Sequence, residues 1–227
     1  APATPIRYDD WVTLDSDYIN YELARDDRPV FLYGLSAGGM ETYHIACRNK
    51  RVKGIVGMTF LDQREPQVRS ETTNNWFWAH IGVPLATVAT RCGLGGLKMK
   101  MSICSKMSAL CNQPECLAVM MNDPSSGGNS VPMRFIDSYM NAVPDIEPED
   151  FTICPILLTQ PEQDRWTPFH LSEIFLKRIK KVPVRITYLK NGGHYPVEQP
   201  ALDQLHEYIR DFYDSILQSH GDSHSHE

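Results

Sequence analysis

Residues 30–40 read Val-Phe-Leu-Tyr-Gly-Leu-Ser-Ala-Gly-Gly-Met, and this stretch decides the fold of the chain. An apolar run of strand length, residues 30–33, leads into the turn Gly-Leu-Ser-Ala-Gly, and helix-compatible residues 40–48 follow. A Gly-x-Ser-x-Gly turn between a strand and a helix is typical of a nucleophile elbow, which exposes a serine above a sheet. Ser36 is therefore the candidate nucleophile.

The residues around Ser36 suit such a turn. Gly34 and Gly38 lie two residues before and after it, where side chains would collide in a strained turn. The backbone N–H of Ala37 would lie at the N-terminus of the following helix and face a developing oxyanion. A phosphate-binding loop is the alternative, but neither Gly-x-Gly-x-x-Gly nor Gly-Lys-Ser/Thr occurs at this turn.

Composition limits the other classes of function. The 227 residues are 42% hydrophobic, which is enough to bury the core of one domain with an insertion. The net charge of -6 is unlike that of a nucleic-acid-binding protein, which carries basic patches. No apolar run is long enough to cross a bilayer. The six cysteines match no zinc pattern, so the sequence predicts no metal site.

A helix is predicted before the elbow, over residues 9–25. Trp11, Leu14, Tyr18 and Tyr21 recur at spacings of three, four and three, which places them on one helical face.

The later segments indicate an α/β domain with an insertion. A second apolar strand at residues 52–60 implies a right-handed crossover and a parallel sheet. The alternation then breaks, and resumes with strands at 153–160 and 184–190 and a final helix at 200–217. The predicted organisation is a first core part at 1–61, a helical cap at 62–150, a second core part at 151–218 and a disordered tail at 219–227.

The predicted cap is rich in aromatic residues and methionine. Trp76, Phe77 and Trp78 are consecutive, and Met recurs between residues 92 and 121. Such side chains could form the wall of an acyl pocket, with Trp76 and Trp78 as its candidate residues. Ordinary helical core is the alternative interpretation.

Two polar loops follow strands at the sheet edge where partners of Ser36 would gather. Residues 161–166 contain Asp164, and residues 191–196 contain His194. In this arrangement His194 would accept the Ser36 proton, and Asp164 would orient the imidazole. Asp62, which follows the second strand, and Glu162 are alternatives for the acid.

Three motifs in this order resemble those of cap-bearing α/β-hydrolases of the monoacylglycerol lipase and serine aminopeptidase type. They are the elbow, Gln-Asp-Arg-Trp-Thr-Pro at residues 163–168 and Gly-Gly-His-Tyr-Pro at residues 192–196. The resemblance implies an α/β-hydrolase fold, a parallel sheet flanked by helices. It also implies Ser36 as nucleophile, Ala37 as oxyanion donor, Asp164 as acid and His194 as base.

The same resemblance implies several strands before the elbow and a His-Gly-type loop with a second oxyanion donor. Residues 1–28 cannot hold those strands, so the sequence is expected to represent an N-terminally truncated form of the fold. The strand Val30–Gly34 would then be an exposed apolar edge. Self-association through this edge, and poor hydrolysis by the isolated chain, are the expected consequences.

The leading hypothesis is a serine hydrolase that cleaves carboxylic esters, with a lipid-like small molecule as a candidate substrate. It would act through an acyl-enzyme, without a cofactor, a metal or a nucleic-acid partner. The alternatives are a non-catalytic hydrolase-like binding domain or inactive fragment, and a peptidase or amidase that uses the same residues.

Overall fold

A computed structural model describes residues 6–221 of the chain. Its helices and strands are α1 (Tyr8–Arg25), β1 (Val30–Gly34), α2 (Ala37–Arg48), β2 (Val52–Gly57), α3 (Pro66–Thr72), α4 (Val83–Arg91), β3 (Lys98–Lys100), α5 (Met101–Cys104), α6 (Pro114–Asn122), β4 (Ser130–Pro132), α7 (Met133–Met140), β5 (Ile156–Pro161), α8 (Phe169–Leu176), β6 (Val184–Leu189) and α9 (Ala201–Gly221). A π-helical turn, Trp78–Gly82, leads into α4, and 3-10 turns occupy Met107–Ala109 and Pro148–Asp150.

The main sheet has four parallel strands in the order β1-β2-β5-β6. Ile55 of β2 lies opposite Ile156 of β5, which in turn lies opposite Val184 of β6. Each crossover contains helix, as the spacing of the apolar runs requires. The predicted α/β fold with a parallel sheet flanked by helices is therefore confirmed.

Helices cover both faces of this sheet. Ile55 and Ile156 are fully buried in a cluster that includes residues of α1, α2 and α8. Val56 and Leu157, the next residues along the same strands, pack instead against Phe212 and Ile216 of α9. The near-continuous apolar strands thus reflect burial on both faces, and they position the strand ends for the site.

The first helix is where predicted, but the face that it buries is different. The predicted face is largely solvent-exposed, with Tyr18 60% exposed. The buried face carries Tyr8, Val12, Ile19 and Leu23, which belong to the main core cluster. Two apolar stripes share this helix, and the stripe that packs against α2 and α7 is the buried one.

The segment between β2 and β5 is more varied than the predicted helical cap. Its strands β3 and β4 form a short antiparallel ribbon, in which Met99 lies opposite Val131. Helices α4 and α7 pack against each other beside this ribbon. Whether residues 62–150 act as a cap stays a prediction.

The last helix runs beyond its predicted end at residue 217 and continues to Gly221. Residues 219–221 of the predicted disordered tail are therefore helical, and residues 222–227 lie outside the described residues. Phe212 and Ile216 of this helix are buried against the sheet, whereas Leu202 is 40% exposed. Within residues 6–221, no helix combines the length and the apolar character that spanning a membrane requires.

Strand β1 lies at an edge of the sheet. Among the described residues it pairs with β2 and with no strand on its other side. Tyr33 of this strand is 43% exposed. Self-association through this edge stays a prediction.

Candidate active site

The turn between β1 and α2 holds Ser36 in a conformation that is uncommon for a residue with a side chain. Its φ is 54° and its ψ is -125°, and it immediately precedes the first residue of α2. Such a backbone costs of order 1–3 kcal/mol and persists where surrounding packing enforces it. A Cβ at Gly34 would lie 2.0 Å from the carbonyl oxygen of Gly38, so this turn excludes a side chain at position 34.

The prediction that position 38 requires a glycine is wrong. A Cβ at Gly38 would meet no heavy atom within 4 Å outside the local helix backbone. At Gly39 it would lie 1.9 Å from the carbonyl oxygen of Thr59. Helix α2 approaches the chain beyond β2 at residue 39, one position after the motif, and this close approach requires a glycine.

The structure brings three predicted site residues together above the strand ends. The Nε2 atom of His194 lies 2.8 Å from Oγ of Ser36. On the other side of the ring, Nδ1 lies 2.9 Å from Oδ2 of Asp164. The His194 side chain is 1% exposed. This geometry would let the imidazole accept the hydroxyl proton while the carboxylate fixes its tautomer.

Asp164 is stabilised as an anion by His194 and by its own loop. The backbone N–H groups of Trp166 and Thr167 donate to Oδ1, and the Thr167 hydroxyl donates to Oδ2 at 2.7 Å. Burial alone would raise the pKa of Asp164, but the hydrogen bond and charge of His194, with the Thr167 donors, hold it below its usual value. Thr167 was not singled out from sequence, although it lies three residues after the acid within the loop motif.

The alternative acids lie elsewhere. Asp62 is buried and makes an ion pair with Arg64 at 2.7 Å, and the same guanidinium contacts Glu147 at 2.7 Å. Glu162 is exposed. His194 therefore meets Asp164, as the leading assignment predicts, while Asp62 takes part in an ionic network at the base of the insertion.

A segment of the insertion contacts both loops of the site. The Tyr195 N–H donates to the carbonyl of Leu110 at 2.9 Å. The Asn112 amide donates to the carbonyl of Gln163 at 2.9 Å, and a Cβ at Gly193 would lie 2.8 Å from the Asn112 side chain. The close approach of Asn112 accounts for a glycine immediately before His194.

Ser36 opens into a cavity of about 280 Å³ beneath the insertion. Ala37, at the N-terminus of α2, also lines the cavity. The N–H groups of the next two residues, Gly38 and Gly39, donate to the carbonyls of Leu35 and Ser36. Trp78 lines the cavity, as predicted. Trp76 does not, because its ring stacks on His80 at the surface and is 64% exposed.

Most of the cavity wall is apolar. Five methionines contribute to it, namely Met99, Met101, Met107, Met133 and Met140. Among the described residues, Glu41 is the only one in this wall with a charged side chain, and no sequence motif predicted it. A signal existed, since Glu41 is the only charged residue among residues 37–47 of the elbow helix.

Solved structures share this fold at low sequence identity. A monoacylglycerol lipase from Paleococcus ferrophilus matches with a TM-score of 0.67 and 20% identity, covering 90% of this chain and 76% of that one. A soluble variant of Saccharomyces cerevisiae monoglyceride lipase, in complex with a substrate analogue, gives 0.67 and 13%, covering 92% and 69%. Est1E from Butyrivibrio proteoclasticus gives 0.57 and 13%, covering 94% and 72%. Comparison with curated protein sequences gives no match.

Together the sheet, its helices and these neighbours define an α/β-hydrolase fold. The sequence profile of the serine aminopeptidase S33 family matches residues 8–200. The chain belongs to this family, which confirms the resemblance derived from the three motifs.

Proposed function

We propose that the chain is a serine hydrolase that cleaves carboxylic esters through Ser36, His194 and Asp164. The observation that carries the proposal is the continuous hydrogen-bonded series from Ser36 to His194 to Asp164 at the opening of an apolar cavity. A nucleophile, a base and an orienting acid within hydrogen-bond reach are the requirements of acyl transfer.

In the proposed reaction, Oγ of Ser36 attacks the ester carbonyl while Nε2 of His194 takes the hydroxyl proton. The oxyanion faces the Ala37 N–H and the N-terminus of α2, whose dipole stabilises negative charge. The alcohol leaves with the proton from His194, and an acyl-enzyme forms. Water then attacks the acyl carbonyl while Nε2 of His194 takes a proton from it. His194 returns this proton to Oγ of Ser36, which releases the carboxylic acid and restores the enzyme.

The cavity supports an ester with an apolar acyl chain. Methionine side chains are flexible and polarisable, so a wall that contains five of them can adapt to alkyl chains. The Saccharomyces cerevisiae neighbour was solved with a substrate analogue, and its description as a monoglyceride lipase agrees with this chemistry. In the proposal, residues 62–150 act as the cap that supplies this wall, with Trp78 as a pocket residue.

A fluorophosphonate probe and p-nitrophenyl esters test the proposal. The probe should label Ser36, and Ser36→Ala or His194→Ala should lower kcat by roughly 10³-fold or more. Asp164→Asn should impair hydrolysis strongly, whereas Asp62→Asn, a matched change at another buried carboxylate, should retain labelling. Labelling that persists in Ser36→Ala, with Ser105 the other serine in the cavity wall, would contradict the assignment.

Matched substrates separate the remaining alternatives. A p-nitrophenyl ester and the p-nitroanilide of the same acyl group differ only in the bond that breaks. Faster hydrolysis of the anilide would favour a peptidase or amidase. A folded chain that neither reacts with the probe nor cleaves either substrate would be a non-catalytic domain.

A further inference from the structure

One wall of the cavity carries a negative charge that the proposed ester hydrolysis does not use. Glu41 lines the cavity together with Ser36, and its carboxylate makes no hydrogen bond or ion pair within residues 6–221. Its side chain is half-buried, and carboxylates that lose much of their contact with water are usually paired. An unpaired one beside a candidate nucleophile therefore points to a charge that arrives with a ligand.

The other residues of the wall indicate whether that ligand is a cation or an anion. Among the described residues that line the cavity there is no Lys, Arg or His side chain, and Glu41 is the only carboxylate. Asp15 on α1 adds a second negative charge nearby, and it contributes after burial to a pKa of about 7 for Glu41. This environment repels anionic groups such as phosphates and attracts cations.

Aromatic rings line the same cavity as Glu41. Trp11 and Phe135 both line the cavity, with ring centroids 4.4 Å apart, and Tyr8 lies edge-on to Tyr139 at 5.3 Å. Burial raises the pKa of Tyr139 to about 12, and the charge of Glu41 adds to this effect. Aromatic faces beside a carboxylate are the usual surroundings of a bound alkylammonium.

A second unused polar group lies in this wall. Tyr8 is 3% exposed, and its hydroxyl has no hydrogen-bond partner among the described residues. A buried hydroxyl without a partner is uncommon in folded proteins and indicates an absent ligand or water. Tyr8 and Glu41 reach the cavity from different helices, α1 and α2, so the two observations are independent.

The spacing fits one substrate that reaches both Ser36 and Glu41. Glu41 lies four residues after Ala37 on α2, about 6 Å further along the helix axis, and both residues line the cavity. A short carbon linker between an ester oxygen and an ammonium nitrogen can span this separation. The methionine-rich part of the cavity then remains for the acyl chain.

We propose that the Glu41 wall is a subsite for an alkylammonium group, and that the substrate is an ester of an amino alcohol. The ammonium charge pairs with Glu41, and its methyl or methylene groups pack on Trp11 and Tyr8. This inference rests on the proposed esterase function for its substrate class. The subsite itself can be tested without catalysis.

The first test compares two esters of the same shape at pH 8. Butyrylcholine carries the ammonium, and 3,3-dimethylbutyl butyrate replaces its nitrogen with carbon. The unsubstituted chain should show a kcat/KM for butyrylcholine roughly tenfold or more above that for the neutral ester. Glu41→Gln should bring the ratio close to one, whereas Asp17→Asn, an equal charge change on the exposed side of α1, should preserve it. A ratio that is the same in Glu41→Gln and the unsubstituted chain would overturn the proposal.

The second test is independent of hydrolysis. Ser36→Ala should bind choline in calorimetry more tightly than its neutral carbon isostere 3,3-dimethylbutanol, and Ser36→Ala combined with Glu41→Gln should lose that difference. Binding without hydrolysis of either ester would refute the esterase function and leave the subsite intact. No preference for the cation in folded Ser36→Ala would refute the subsite, whatever the esterase assays show.

Discussion

The unpaired carboxylate of Glu41 should lower the stability of the folded chain at neutral and alkaline pH. Burial, and then the charge of Asp15, raise its pKa from an ordinary value of 4.5 to about 7. Between these two values the folded chain binds more protons than the unfolded chain, so stability falls as the pH rises through this window. Glu41→Gln keeps the shape of the side chain and removes the ionisation.

The size of the effect follows from the same shift. A change from 4.5 to about 7 would correspond to roughly 3.4 kcal/mol at 1.36 kcal/mol per unit of pKa. The Glu41 side chain is only partly buried, so solvent screening reduces this ceiling. We therefore expect Glu41→Gln to stabilise the chain by about 1–2 kcal/mol at pH 8, and by much less at pH 4.5.

Thermal unfolding at the two pH values measures this difference. For a chain of this length, the expected gain at pH 8 is roughly 3–6 °C in Tm. Asp17→Asn is the control, because it removes a charge from the exposed side of α1. A Tm for Glu41→Gln that is unchanged at pH 8, or raised equally at both pH values, would refute the electrostatic argument.

Three further predictions concern the glycine at position 39, the pocket residue Trp78 and the edge strand β1. Gly39→Ala should sharply reduce the yield of soluble, folded protein, because its Cβ would lie 1.9 Å from the Thr59 carbonyl oxygen. Gly38→Ala is the control and should fold, so equal expression and equal Tm of the two variants would contradict this prediction. Trp78→Ala should shift the preference among p-nitrophenyl ester chain lengths, while Trp76→Ala should not, and identical profiles for the two variants would exclude Trp78 from the pocket. The chain should self-associate through Val30–Gly34, and Tyr33→Lys should reduce this because a charge on an edge strand opposes pairing; light scattering that shows a monomer before substitution would exclude the interface.

Short sequence patterns were sufficient to predict the nucleophile elbow and the two loops that carry Asp164 and His194. The spacing of Gly34 and Ser36, and the polar residues directly after apolar strands, depend on a few neighbouring residues. Parallel strand ends meet at one edge of the sheet, so Asp164 and His194 could be expected near Ser36 despite their distance along the chain.

The remaining features depend on packing between distant segments. Both stripes of α1 have helical spacing, and it is contact with α2 and α7 that determines which of them is buried. The need for a glycine at position 39 comes from Thr59, which lies beyond the next strand. Glu41 gains its significance from Tyr8 and from the insertion, which sequence spacing alone does not place beside it.

The contacts of Leu110 and Asn112 with the loops of the site restrict how a substrate can enter. If this part of the insertion lifted away as a rigid lid, the bond from Tyr195 to Leu110 and the bond from Asn112 to Gln163 would break. Those bonds fix the backbone at Tyr195, next to His194, and at Gln163, next to Asp164. A wide opening would therefore displace the base and the acid while the substrate enters. Entry is therefore expected through local rearrangement of the flexible methionine side chains that line the cavity, while Leu110 and Asn112 keep their contacts with the two loops.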